Sequence, residues 1–385
     1  MNPQAEFDII VYGATGFTGR LVAEHLAQVY GVGGKVKWAM AGRSATKLVE
    51  VRDEIGAPAD TPLIVADATD PASIRALVGR TKAVVTTVGP YQLYGSDLVS
   101  ACAAAGTDYL DLSGEPTWMA EMITAHEAAA KASGARILFS CGFDSIPFEL
   151  GVFLVQGIAR KRLGHPVARV KGRVRDMRGG LSGGTAASGK ATMAALQKNP
   201  ALMAVLFNPF ALTPGFQGPE QPKGDTVAFD ADVGAEVGPF MMATINTKNI
   251  HRSNLLQGHA YGQDLAYDEM AIITPGAQTD FTDLGGAGGP QPGEGPSKAE
   301  REAGFYDLLF VGIDADGTSV KGSVRGDKDP GYGSTSKMIA ETAICLVLES
   351  PEVAGGIWTP GAALGQKLVD RLAAHAGLVF TDETA

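Results

Sequence analysis

Three cysteines in 385 residues, Cys102, Cys141 and Cys345, are too few and too far apart for a disulfide framework. No pair has metal-ligand or redox-motif spacing, so no metal site is expected and the thiols should be reduced and mostly buried. Positive charge is also short: 32 Lys and Arg stand against 42 Asp and Glu, a formal net charge of -10. That balance argues against nucleic acid as a partner. No apolar run reaches the roughly 18 residues a membrane helix needs. The N-terminus lacks the basic stretch and apolar core of a secretory signal, so a cytoplasmic location is the expectation. No unit of solenoid length repeats, and no His-Asp pair at motif spacing marks an acid–base unit.

What is present suits an enzyme. Hydrophobic residues make up 45% of the chain, enough for full cores, and 385 residues suggest two domains or one elaborated one. The apolar run Phe7-Asp8-Ile9-Ile10-Val11-Tyr12 leads directly into Gly13-Ala14-Thr15-Gly16-Phe17-Thr18-Gly19. Leu21, Val22, Leu26 and Val29 then recur at helical spacing. Strand, glycine turn and helix together are the context a dinucleotide fingerprint requires. Gly13 permits the tight turn, Gly16 the approach of a pyrophosphate, and Gly19 close packing of helix on strand. The helix N-terminus, around Thr15, Phe17 and Thr18, offers N–H groups and partial positive charge to the phosphates.

Further apolar strands are expected at residues 36–41, 63–66, 83–88, 109–112 and 136–140, with helical patterns between them. Asp70-Pro71 is a cap and first-turn pair, and Pro116 opens another helix. This alternation predicts an α/β fold, a doubly wound parallel sheet covered on both faces. Ligands then lie beyond the carboxyl ends of the strands. The second strand ends Ala41-Gly42-Arg43-Ser44, with Lys47 one turn on. An acidic residue there would bind the adenosine ribose and repel a 2′-phosphate, whereas Arg43 and Ser44 suit the phosphate, which points to NADP (NADPH). Asp67 could meet the adenine amino group or cap a turn. Gly89 and Pro90 would pass beneath the nicotinamide ribose, followed by Tyr91 and Tyr94. Glu115, Asp144 and Ser145 stand on the same edge, where a structural role, charging the first turn for Glu115 and capping the next helix for Asp144 and Ser145, is favoured over catalysis.

Beyond Gly164 the alternation fades into a mixed α+β region. Strands are expected at 167–177, 226–229, 255–261, 306–314 and 319–325, helices at 185–196 and 334–348, and a Gly/Pro-rich loop at 285–295. Asp316-Gly317 reads as a hairpin turn. Residues 201–216 are apolar on every face: either a buried core helix, or an element meeting an acyl chain or making peripheral contact with a lipid membrane.

The chain resembles the saccharopine dehydrogenase-like oxidoreductases, particularly their bacterial trans-acting enoyl reductase branch. The resemblance rests on the glycine turn at 13–19, Ala41-Gly42-Arg43-Ser44, Cys141-Gly142-Phe143-Asp144-Ser145-Ile146-Pro147, residues 331–338, and Gly355-Gly356-Ile357-Trp358-Thr359-Pro360-Gly361 with its continuation to Gly365. It implies a Rossmann-type NAD(P)-binding domain over 1–150 and an α+β substrate or oligomerisation domain over 165–330. Residues 331–385 would return to the first domain, and a homo-oligomer fits this plan. It also implies hydride transfer. Short-chain dehydrogenases are excluded, because no tyrosine has a lysine four residues later; Tyr332 and Lys337 are five apart.

The leading expectation is reduction of an activated C=C bond in an apolar acyl or polyketide-type small-molecule substrate, with Tyr91, Tyr94, Ser145 and Lys190 as candidate donors. An imine or amino-acid oxidoreductase is the alternative, with Arg169, Lys171, Arg173, Arg175 and Arg178 available for a zwitterion. A third reading is a non-catalytic NADP-binding protein serving a lipid surface or redox sensing.

Overall fold

The computed structural model describes residues 5–180, 182–273 and 293–385. The loop expected at 285–295 falls almost wholly outside them. The elements begin β1 (Phe7–Tyr12), α1 (Phe17–Tyr30), β2 (Trp38–Gly42), α2 (Ala45–Glu54), β3 (Leu63–Val65) and α3 (Pro71–Val78). Next come β4 (Thr81–Thr86), α4 (Tyr91–Tyr94), α5 (Ser96–Ala105), β5 (Asp108–Leu110), α6 (Pro116–Ser133), β6 (Arg136–Leu138) and α7 (Ile146–Leu163). The second half holds β7 (Arg169–Arg178), α8 (Gly183–Lys198), α9 (Leu202–Phe207), β8 (Ala228–Asp230), β9 (Ala235–Pro239), α10 (Ala243–Leu256) and β10 (Ala266–Ile272). It continues with α11 (Lys298–Ala303), β11 (Phe305–Ile313), β12 (Ser319–Gly326), α12 (Thr335–Ile344), β13 (Gly356–Trp358), α13 (Pro360–His375) and β14 (Leu378–Asp382).

The first sheet is parallel throughout, in the order β13-β6-β5-β4-β1-β2-β3. The period of two along β1 divides its side chains between two cores. Ile9 and Val11 enter one, while Ile10 and Tyr12 enter the other. Burial on both faces explains why this strand reads as an almost unbroken apolar run. Strand order reverses between β1 and β4, which opens a crevice at their carboxyl ends.

The second sheet is mixed, in the order β14-β12-β11-β7-β10-β9-β8. The β11–β12 hairpin turns at Asp316-Gly317, with Gly317 at φ +87, as its sequence signals. Helix α7 carries Phe148, Val152 and Val155 into a core shared with Phe310, Val320 and Val324, so the helix leaving the first sheet lies on the second. The C-terminal segment serves both sheets: β13 pairs with β6, and β14 pairs with β12.

One expected strand is corrected. Residues 255–261 form the end of α10 and a turn, in which Gly258 and His259 are left-handed, at φ +64 and +60. Asn254 holds that turn, accepting from the Tyr261 N–H at 2.9 Å and donating to the Gly262 carbonyl at 2.7 Å. The misreading has a cause in α10 itself. Its buried face carries Asn246, Lys248, Asn249, His251, Arg252 and Asn254, which inverts the usual apolar signal.

Candidate active site

The glycine turn is built as its spacing demands. Gly13 is left-handed at φ +90, and a Cβ there would lie 2.8 Å from Thr87 Oγ1 and Val88 Cγ2. A Cβ on Gly19 would overlap the Gly13 carbonyl, so α1 lies closer to β1 than any side chain permits. Gly16 differs. It is exposed, its φ of -82 is ordinary, and it caps α1 without a side-chain hydrogen bond. The first N–H groups of α1 therefore face outward over a surface with no side chain at its closest point. That cradle fits a dinucleotide pyrophosphate. Thr15 lies against Gly42 and Thr18 is half-buried on the first turn, whereas Phe17 turns inward, its ring 5.1 Å from that of Tyr332.

At the end of β2, Arg43 is exposed and has no hydrogen-bond or ion-pair partner among the described residues. Ser44 caps α2 by accepting from the Lys47 N–H at 3.3 Å, and the Lys47 side chain is exposed on the same turn. A free guanidinium beside a hydroxyl is the donor set a 2′-phosphate requires. Asp67 holds a turn. Its Oδ1 accepts from the Thr69 N–H and hydroxyl, each at 2.9 Å, and these bonds keep its carboxyl below the usual range.

The far wall begins at Gly89 and Pro90. A Cβ on Gly89 would meet Ser188 Oγ of α8 at 3.7 Å, so here the second half of the chain faces the first sheet. Glu115 ties them together. Its carboxylate accepts from the N–H groups of Tyr91 and Gln92 at 3.0 and 2.9 Å and from the Ser188 hydroxyl at 3.0 Å. Among the four donor candidates, Tyr91 is buried. Its hydroxyl donates to the Thr86 carbonyl at 3.3 Å and accepts from the Leu112 N–H at 3.1 Å. Burial also pushes that phenol far above its ordinary range. Tyr94 and Lys190 are exposed, and the buried Ser145 hydroxyl accepts from Asn249 Nδ2 at 2.7 Å. The structure does not assemble these four into one acid–base group.

A polar cluster that sequence reading missed lies around Ser145. Asn246 and Asn249, three residues apart on α10, share a face. Asn246 donates to Glu269 Oε2 on β10 at 2.9 Å. Asn246 Oδ1, Asn249 Oδ1 and Glu269 Oε1 are buried without partners among the described residues. Each orphan of this kind costs about 1–3 kcal/mol, and native proteins retain few of them. Gly172 leaves the space: a Cβ there would lie 2.6 Å from the Tyr267 hydroxyl and 3.0 Å from Glu269 Cγ. Burial pushes the Glu269 carboxyl up to about 8, with the Asp268 and Asp144 charges adding to the shift. Asp144, beside Ser145, is half-buried and accepts no hydrogen bond among the described residues. Its carboxyl is pushed up to about 7 by the protein around it. Motif reading treats Asp144 only as a cap, and Glu269 carries no sequence signal.

The basic strand β7 does not form an anion receptor. Arg169 pairs with Asp268, and Lys171 with Asp230 at 2.8 Å. Arg173 pairs with Asp230 and Asp268 at 2.8 and 2.9 Å, and Arg175 with Asp307 and Glu383 at 2.8 Å. Arg178, at the strand end, is exposed.

The apolar segment 201–216 divides in two. Phe210 and Leu212 are buried, but α9 buries no residue, and Phe207 is 73% exposed. Exposed Met203 lies on the same short helix. Met193 is exposed on α8, beside Thr192, whose hydroxyl accepts from Gln92 at 3.3 Å; Leu93 and Tyr94 follow Gln92 and are also exposed. A single core-helix reading of the segment is therefore corrected for its first half.

Residues 9–138 match the saccharopine dehydrogenase NADP binding domain. Over its full length the chain is similar to the trans-acting enoyl reductase of Mycobacterium leprae, 34% identical over 418 residues, and to that of Mycobacterium tuberculosis, 34% identical over 421, covering 99% of both chains in each case. A second Mycobacterium tuberculosis protein, given that name provisionally, is 36% identical over 405 residues, 96% of each chain. Among solved structures, the L-Glu-forming saccharopine dehydrogenase of Saccharomyces cerevisiae aligns with a TM-score of 0.58 at 12% identity, covering 98% of this chain and 100% of that one. The homospermidine synthase of Legionella pneumophila, in complex with NAD, aligns with a TM-score of 0.57 at 10% identity, covering 99% and 93%. These two likenesses are of fold.

Proposed function

The chain belongs to the saccharopine dehydrogenase-like oxidoreductases, in their trans-acting enoyl reductase-like branch, and from that premise we propose that it reduces an activated C=C bond of a long acyl or polyketide-type substrate. It is an NADP-dependent oxidoreductase. The observation that carries the substrate reading is the set of exposed apolar side chains, Leu93, Tyr94, Met193, Met203 and Phe207, on α4, α8 and α9, together with the neutralised cations of β7. An amino-acid substrate needs unpaired cations, and four of the five on β7 already hold carboxylates. An acyl tail needs apolar surface, and burying it contributes about 0.8 kcal/mol per methylene.

The bound reduced nicotinamide supplies the hydride. The chain supplies placement. Gly13, Gly16 and Gly19 would hold the pyrophosphate against α1, Arg43 and Ser44 would take the 2′-phosphate, and Gly89 and Pro90 would lie beneath the reactive end. The Glu115–Ser188 bond fixes α8 against that edge.

Two outcomes follow. Arg43→Ala should weaken NADPH by about 1.5–3 kcal/mol, roughly ten- to hundredfold, and leave NADH unchanged, as read by fluorescence titration. Equal affinities for the two cofactors in the wild-type protein would remove the basis for this assignment. Phe207→Ser should raise KM for long acyl thioesters more than for short ones and weaken binding to liposomes, with little change in Tm because the ring is exposed. A lower Tm without chain-length dependence would return the segment to a packing role.

A further inference from the structure

Building on the enoyl reductase reading, we propose that Asp144 is the catalytic acid that protonates the α carbon of the substrate, next in the chain to Ser145, which Asn249 holds. The four donors expected from sequence are not brought together. Tyr91 donates its hydroxyl to a backbone carbonyl, Ser145 is fully enclosed, and Tyr94 and Lys190 stand exposed. Asp144 has what they lack. It follows β6 at the carboxyl edge of the parallel sheet, where substrates of this fold lie. Its Oδ2 would be 3.7 Å from a Cβ on Gly114, in the segment that follows the neighbouring strand β5, so this carboxyl lies against the glycine that precedes Glu115. It is half-buried, which leaves it reachable, and no protein donor holds it in the charged form.

That last property is chemical as well as geometric. Hydrogen bonds to a carboxylate favour ionisation, and burial without them favours the neutral acid. Asp144 accordingly carries a proton up to about pH 7, with burial as the cause. An ionisable group within its electrostatic reach is Glu269 of β10, which accepts from Asn246 of α10 at 2.9 Å and is also influenced by Tyr267 and Asp268 of its own strand. A neighbouring acid that also stays neutral to about pH 8 adds no negative charge while Asp144 is working. The neighbouring Oδ1 atoms of Asn246 and Asn249 and Oε1 of Glu269 are enclosed and unpaired among the described residues.

The step balances. The C=C π bond breaks. The β carbon receives a hydride from NADPH, which is oxidised to NADP⁺, and the electron pair released toward the carbonyl forms an enolate. The α carbon then forms a C–H bond with the proton of Asp144, whose O–H bond breaks to leave a carboxylate. Water reprotonates it between turnovers.

The test is Asp144→Asn in the full chain with NADPH and an enoyl thioester. Loss of a positioned general acid should lower kcat at least a hundredfold and leave the Kd for NADPH within twofold. In the wild-type protein kcat should fall as pH rises through about 7, as the acid form disappears. Asp144→Glu should retain part of the activity with a shifted profile. An Asp144→Asn protein that keeps more than a tenth of wild-type kcat and the same pH profile overturns the proposal. A second measurement covers failure of that variant to fold. Carboxyl carbon NMR of aspartate-labelled protein, with the Asp144 signal assigned through Asp144→Glu, should titrate near neutrality, and a midpoint near the ordinary 4 overturns the assignment. If the wild-type protein leaves every enoyl thioester unreduced, the reaction assignment falls, and the NMR titration alone decides whether Asp144 is an acid at neutral pH.

Discussion

Replacing Gly16 with Val should abolish NADPH binding and leave the fold intact. The backbone at Gly16, φ -82 and ψ 168, suits any L-residue, and an added Cβ meets only the Gly13 carbonyl, at 3.3 Å. The branched methyls would then project outward over the α1 N-terminus, into the space a pyrophosphate must enter. The Kd for NADPH should rise at least about a hundredfold, roughly 2.7 kcal/mol. Circular dichroism should be unchanged and Tm should move by no more than a few degrees. Its neighbours behave differently. Gly13→Ala meets a left-handed φ and Thr87, and Gly19→Ala overlaps backbone, so both should lose stability along with binding. A folded Gly16→Val protein with normal NADPH affinity would remove the phosphate cradle from this account.

Arg136→Met should cost about 3–5 kcal/mol of folding stability, as read by urea denaturation. Arg136 is buried at the start of β6 and fixes three pieces of chain. Its Nε and backbone N–H each donate to Asp108 Oδ1 of β5 at 3.0 Å, a terminal nitrogen meets the other Asp108 oxygen, and Nη1 donates to the Ser350 carbonyl at 2.8 Å. The last bond holds the approach to β13, the strand that completes the first sheet. Without the guanidinium, Asp108 becomes a buried, uncompensated carboxylate. Burial holds its pKa above the ordinary value even with Arg136 present. An acid with a raised folded-state pKa is cheaper to bury protonated, so the loss in this variant should shrink as pH falls. Adding Asp108→Leu should recover most of the stability, because removing both partners leaves no charge to compensate. A single variant within 1 kcal/mol of wild type would show that the pair does not hold β5, β6 and the C-terminal turn together.

The parallel sheet and its glycine turn were legible because their signals are local. Residues 7–19 carry strand, turn and helix in one short run, and Arg43-Ser44 sits at a strand end whose position the alternation determines. The second sheet was harder to read. Strand β10 holds Asp268 and Glu269 side by side, both buried, so no alternation of apolar and polar residues marks it. Helix α10 buries a polar face for the same reason: it fills the junction between the two sheets, where its partners are backbone carbonyls, Glu269 and Ser145. The basic strand β7 shows its charge in sequence but not its partners, which come from β8, β10, β11 and the C-terminus. The Ser145–Asn249 bond joins residues 104 positions apart and exists only once the chain has folded. Residues 201–216 were read as one unit because composition does not distinguish the exposed turn of α9 from the buried Phe210 and Leu212 behind it.

Isotope tracing tests hydride transfer from NADPH to a C=C bond most directly. The full chain is incubated with an enoyl thioester and NADPH deuterated at the transferable position, in ordinary water, and the product is read by NMR. The expected product is the saturated thioester with one deuterium on the β carbon and hydrogen on the α carbon. In heavy water with unlabelled NADPH, the deuterium should appear on the α carbon instead. No NADPH consumption across a panel of enoyl thioesters, with consumption on keto acids supplied with amines, would contradict the account and assign the chain to imine reduction.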